Sequence, residues 1–186
     1  MGVRLFTVGH SNRSLDQFVA LLRGASIELL VDVRCWPRSR RYPHFNGERL
    51  SASLEASGLR YAHHEALGGM REPRADSENG ALREVAFRGY ADHMLGAVFQ
   101  GELDQIVRFA STARVALMCA EARPEQCHRR LIADALFARG AQVAHIVDGG
   151  EPIEHALSAG ARIDAGRVTY PNLAARHPEL FDSQAG

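Results

Sequence analysis

Three cysteines, nine histidines and a dense group of arginines carry the reactive chemistry of this chain. The richest segment runs from Cys119 to Arg129 and ends Cys127-His128-Arg129, a thiol beside an imidazole and a guanidinium. Such neighbours, at the start of a helix, can lower a thiol's pKa and leave a nucleophilic thiolate. A buried, inert thiol is the alternative for Cys127, and Cys119, at the end of an apolar run, reads as core. The Cys-x5-Arg spacing of cysteine phosphatases is absent, because the sixth residue after Cys119 is Glu125 and after Cys127 is Ala133. Near the N-terminus, Gly9-His10-Ser11 offers an imidazole suited to proton transfer near neutral pH, or to a satisfied loop hydrogen bond. Glu121 is spaced to orient His10 or His128, or to neutralise Arg34. The catalytic candidates are therefore His10, Glu121, Cys127 and His128.

Arg34, Arg38, Arg40 and Arg41 fall within eight residues that contain no acid. The planar guanidinium fork fits phosphate or carboxylate in a bidentate way. Arg129, in the first turn of a helix whose amides also favour an anion, and Ser11 complete the candidate anion-binding set of Ser11, Arg34, Arg38, Arg40 and Arg129. The competing reading is a solvated or ion-paired loop, with Arg34 held by Asp32 or Glu121. Trp36, Tyr42 and Phe45 interleave with these arginines, either to stack on a base or to cover the sheet. No C-x-x-C or H-x-x-x-H spacing accompanies His10, His44, His63, His64, Cys119, Cys127 and His128. Adjacent Cys127 and His128 would also diverge on a helix, so no metal site is assigned.

These residues follow strand-like segments. Val3 to Gly9, Glu28 to Val33, Leu59 to His63, Arg114 to Cys119 and Gln142 to Val147 read as strands. Between them, Ser14 and Gln17 form a capping box for a helix with Phe18, Leu21 and Leu22 on one face, ending at Gly24. Further helices are expected over 50–57, 82–98, 103–109 and 124–139, with a tight turn at Gly68-Gly69. Alternation of this kind implies one three-layer α/β domain with a mostly parallel sheet flanked by helices, Rossmann-like or flavodoxin-like. That domain covers 1–150. Residues 151–186 read as a C-terminal extension, with a short helix over 153–157 and an irregular tail, packed on the same domain or partly irregular. Ligands of such sheets sit beyond the carboxyl ends of the strands, where the candidate residues gather.

The chain has 186 residues, 46% hydrophobic and 24% charged, which suits a single globular domain. Acids and bases number 22 each, so a generally basic nucleic-acid coat is excluded, although a local basic patch is not. Every basic residue among those 22 is arginine. Without lysine there is no phosphate-loop amine, no Schiff base and no pyridoxal anchor. Few cysteines, no signal-peptide pattern and no long apolar run point to a cytoplasmic protein that does not enter a membrane.

The ordered motifs GHS (9–11 with Gly9), DVR (32–34), Pro37-x-Ser39-Arg40 with Phe45, Leu67-Gly68-Gly69 and Cys119-x-Glu121-x-x-Pro124-x-x-Cys127-His128-Arg129 resemble the family called domain of unknown function 488. The resemblance spans about residues 5 to 147. It implies the fold and the location of the site, and no reaction. The residues themselves lead to an enzyme, a hydrolase or transferase, that binds a phosphate-containing ligand, a nucleotide or nucleic acid, in an Arg/His-lined cleft. A non-catalytic nucleotide or nucleic-acid binding module and a thiol-dependent enzyme built on Cys127 are the alternatives. The sequence names no cofactor and no oligomeric state.

Overall fold

Short apolar runs form the centre of the molecule, a six-stranded sheet. In the computed structural model, which describes residues 2–172, Arg4–Gly9 (β1), Leu29–Asp32 (β2), Arg60–His63 (β3), Val115–Cys119 (β4) and Gln142–Ile146 (β5) pair in parallel. Ile153–Glu154 (β6) adds an antiparallel edge, and the order is β3-β2-β4-β1-β5-β6. A hairpin of Arg162–Asp164 (β7) and Arg167–Thr169 (β8) stands apart from the sheet. The helices are Leu15–Gly24 (α1), Gly47–Ala56 (α2), Val85–Met94 (α3), Ala97–Ala110 (α4) and Arg129–Ala138 (α5).

Alternation along each strand divides the core in two. Phe6, Val8, Leu30, Ala116 and Met118 meet Phe18 and Leu22 of α1 and Leu50 and Leu54 of α2. Leu5, Val31, Leu117 and Val143 meet the layer of Tyr90, Leu103, Leu131 and Ile132 from α3, α4 and α5. The expected three-layer α/β architecture is the one observed. At α1, Ser14 Oγ accepts from the Gln17 amide at 3.2 Å and Gln17 Oε1 accepts from the Ser14 amide at 2.9 Å. This closes the capping box.

Strand order also explains where a cleft must open. From β1 through β2 to β3 the chain moves toward one edge, with α1 and α2 on one face. From β3 through β4 to β5 it moves back, with α3, α4 and α5 on the other. A constant crossover hand requires that change of face. The loop after β4 therefore departs opposite to the loops after its neighbours β1 and β2, which leaves a crevice at their carboxyl ends.

Four local expectations are corrected. The helix expected over 82–98 breaks at Leu95-Gly96, and α4 takes in the segment expected as a separate helix over 103–109. Gly96, extended at φ −77° and ψ 151°, caps α4 instead of continuing α3. The helix expected over 124–139 begins with a 3-10 turn at Pro124–Gln126; Cys127 is then extended at φ −141° and ψ 147°, and α5 starts at Arg129. Residues 153–154 form β6 and not a helix, because the open edge of β5 offers backbone partners; the His155 amide extends the ladder to the Val143 carbonyl at 2.8 Å. Finally, Gly68, at φ −65° and ψ 148°, adopts no glycine-specific turn conformation. What matters there is the missing side chain, since a Cβ would lie 2.6 Å from Cys35 Cα. The tail expected to be irregular lies, from residue 173, outside the described residues. No described helix is long and apolar enough to cross a membrane.

Candidate functional site

A cleft of about 930 Å³ opens at the carboxyl ends of β1, β2 and β4. Its walls include His10, Ser11, Arg34, Arg38, Arg41, Glu121, Cys119, Cys127 and His128. Seven of the nine sequence-derived site residues thus line one cavity. The other two do not: Arg40 is exposed but off the wall, and Arg129 is 1% exposed beneath it.

Arg34 is held from within. Its Nε donates to Asp32 Oδ1 at 2.9 Å, and its Nη2 to Asp32 Oδ2 at 2.5 Å and to the Phe45 carbonyl at 2.8 Å. Tyr61 Oη donates to the same carboxylate at 2.8 Å. The ion-paired reading of Arg34 is therefore the one the geometry favours, and Asp32 is its partner. Phe45 folds down onto the sheet and stacks on His10, 4.2 Å between ring centroids. Trp36 does the opposite and stands 62% exposed at the mouth of the cleft.

His10 Nδ1 donates to the Ser11 carbonyl at 2.9 Å, which turns the Nε2 lone pair toward Arg34 Nη1 at 3.4 Å. Burial, reinforced by Arg34, lowers its pKa to about 4. A proton on Nε2 would confront the guanidinium, so this geometry suits a positioning group and gives a proton-transfer role no support. Glu121 orients neither imidazole: His128 Nε2 donates to the Val33 carbonyl at 3.0 Å, and it is the Glu121 carbonyl that does structural work, accepting from Arg129 Nη2. His44, His63 and His64 are likewise committed, to the Arg13 carbonyl, the Arg34 carbonyl and Glu102.

The CHR segment has a different character. Because Cys127 is extended rather than helical, its Sγ and His128 Nδ1 converge at 3.7 Å instead of diverging. Cys119, Cys127 and His128 place two sulfurs and a ring nitrogen within 4.8 Å of one another. With Nε2–H committed to Val33, Nδ1 presents a lone pair to the Cys127 sulfur. Two steric details support this arrangement. A Cβ on Gly9 would lie 1.8 Å from the Glu121 carbonyl oxygen, and one on Gly69 would lie 3.0 Å from His128 Nδ1. At Gly9, only glycine allows the two loops to approach so closely.

Electrostatics favours a thiolate at Cys127. The neighbouring Cys119 thiol, then His128 and the charge of Arg129, draw its pKa down against the opposing effect of burial. Cys119 moves the other way and keeps the proton. Arg129 forms no ion pair among the described residues and meets only Thr7 Oγ1, at 3.2 Å, and the Glu121 carbonyl, with Nε unpartnered. A buried cation of this kind stabilises a nearby anion. Two sulfurs and an imidazole are also donors that soft cations take, but the same guanidinium opposes a dication.

Comparison with protein families adds one finding: residues 14–136 match Domain of unknown function DUF488. The chain belongs to that family. No curated protein and no solved structure matches it. The DUF488 match takes in Arg34, Cys119, Cys127, His128 and Arg129 and stops short of His10 and of everything after 136. Sequence reasoning missed the groups that secure these residues: Tyr61 on Asp32, and the polar positions Thr7 and His145 inside apolar strands. A polar side chain on the buried face of a strand was the available signal.

Proposed function

We propose that this protein is a thiol-dependent enzyme, a transferase or hydrolase, in which Cys127 attacks a phosphate-containing substrate of about nucleotide size. The observation that carries the reading is the Cys127 sulfur on the cleft wall, 3.7 Å from His128 Nδ1 and two residues from Arg129, a buried guanidinium with no ion pair among the described residues. A cleft of about 930 Å³ is at the upper end of the range for small-molecule sites. Arg38 and Arg41 line it with no ion pair among the described residues and so offer forks to a phosphate; exposed Trp36 offers a face to a base.

In the reaction the Cys127 thiol passes its proton to His128 Nδ1. The sulfur forms a bond to the electrophilic atom of the substrate while the leaving group departs with the bonding electrons and takes the proton from His128. Water, or a second acceptor, then gives His128 a proton and displaces the sulfur. The neighbouring Cys119 thiol steadies the Cys127 anion before the attack and again after the sulfur is displaced.

Alkylation tests this directly. A Cys35→Ser variant removes the third thiol of the cleft, and iodoacetamide labelling is followed against pH with the modified residue located by mass spectrometry. Cys127 should react with a midpoint well below the ~8.5 of a free thiol, and ADP should slow it. An ordinary midpoint, or labelling confined to Cys119, overturns the thiolate. Labelling that ADP leaves unchanged removes the phosphate-containing substrate.

A further inference from the structure

Beneath the cleft, a line of buried polar groups leads away from Arg129. Arg129 Nη1 is 3.2 Å from Thr7 Oγ1, Thr7 Oγ1 is 2.8 Å from His145 Nδ1, and His145 Nε2 is 3.0 Å from His155 Nδ1. His155 Nε2 then lies 2.9 Å from Asp134 Oδ1. Asp134 also accepts from the Ser158 amide at 2.9 Å and from Tyr170 Oη at 2.6 Å. Thr7, His145, Asp134 and Tyr170 are all buried.

With both rings neutral, the donors and acceptors can be assigned only one way. A carboxylate accepts, so His155 Nε2 carries the hydrogen and His155 Nδ1 accepts. His145 Nε2 must then donate, which leaves His145 Nδ1 to accept from the Thr7 hydroxyl. The Thr7 oxygen is free to accept from Arg129, which can only donate. Every hydrogen points from the guanidinium toward the carboxylate. Five residues along α5, Arg129 and Asp134 are thus an ion pair mediated by three neutral groups. The sheet supplies the bridge, because Thr7 on β1 and His145 on β5 are register partners facing α5.

We infer that this one-way chain, Arg129–Thr7–His145–His155–Asp134, is a positioning relay that fixes the Arg129 guanidinium beneath the cleft, two residues from Cys127, and so maintains the reactive thiolate. The inference rests on the thiolate reading of Cys127. Thr7, His145, His155 and Asp134 touch no substrate; they act through Arg129. His155, Ser158 and Tyr170 belong to the segment beyond the DUF488 match, which gives that segment a part in the chemistry of the family's own CHR motif. Both imidazoles must stay neutral. His145, with His155, Arg129, Glu125 and Asp134 around it, is held so first by burial and then by the Arg129 guanidinium. The titratable or charged groups around the Cys127 sulfur are Cys119 from β4, His128 and Arg129 from the start of α5, and Tyr90 from α3.

Two measurements test the relay. In the full chain carrying Cys35→Ser, Thr7→Val removes the bridging hydroxyl and keeps the shape, while Thr7→Ser keeps the hydroxyl. The alkylation midpoint of Cys127 should rise by about one pH unit with valine and stay at the starting value with serine, as the loss of one neighbouring opposite charge predicts. A low midpoint that valine leaves unchanged, or lowers further, overturns the relay and leaves the thiolate standing. Nitrogen-15 NMR of the unaltered protein needs no variant to fold: at neutral pH, both His145 and His155 should be neutral and carry their hydrogen on Nε2. Either ring protonated on Nδ1 overturns the relay. An ordinary Cys127 midpoint before any change at Thr7 overturns the thiolate reading instead, together with the relay's effect on it.

Discussion

Asp32 is buried and accepts from the Arg34 side chain and from Tyr61, so the charge of the DVR motif is balanced inside the protein before any ligand arrives. Two substitutions separate these bonds. Tyr61→Phe removes a single neutral donor and should cost about 1 kcal/mol of stability. Asp32→Asn strands a buried guanidinium and should cost about 3–5 kcal/mol. Urea denaturation of the two variants checks the ranking, and equal losses would mean that the Arg34 charge is compensated elsewhere. The motifs themselves were legible: GHS, DVR and CHR do converge on one cleft. Which of their atoms remain free was not. The lone pair of His10, the occupancy of Arg34 and the burial of Arg129 depend on Phe45, Asp32 and Thr7, and the latter contact becomes visible only when β1 and α5 are in place.

At the scale of elements, the five parallel strands were recognised because apolar and β-branched runs mark a doubly covered sheet, while the short, exposed β6 and β7 and their neighbour β8 carry no such run; α1 announced itself through Ser14 and Gln17. Helix limits near the site were less legible. A helical phase continues through Gly96 and through Cys127, and only the backbone shows that the chain breaks at both. At Cys127 the break is what brings the sulfur to His128 Nδ1, since an α-helical residue there would have pointed it away. The meeting of loops also depends on Gly9, where any Cβ would overlap the Glu121 carbonyl that Arg129 requires. Gly9→Ala should therefore lower stability by about 1–3 kcal/mol, as overpacking does, and also slow Cys127 alkylation at neutral pH. Ser14→Ala, at the far end of the same β1–α1 connection, should cost about 1 kcal/mol and leave alkylation unchanged. Unfolding curves and labelling rates on both proteins distinguish damage to the site from damage to the fold.

For the whole molecule, the buried histidines connect stability to pH. His10 and His145 lie on different loops and sheet positions, yet burial lowers each from 6.5 to about 4. When the chain unfolds, both regain the ordinary value and take up protons that the folded state refuses. Between pH 6.5 and 4 the unfolded state therefore binds more protons than the folded one, and stability must rise with pH across that window. The contribution is complete above pH 6.5 and is lost as the pH falls to about 4, on the order of 3 kcal/mol per histidine before screening. Urea unfolding at a series of pH values should show a steady loss over this interval and a plateau above it. His93 is also lowered by burial, so His145→Gln, which cannot be charged, should flatten part of the slope while lowering the plateau, because it also interrupts the chain to Asp134. A slope that survives this substitution intact would mean that His145 is protonated in the folded protein, and a charged ring there could not accept the Thr7 hydrogen.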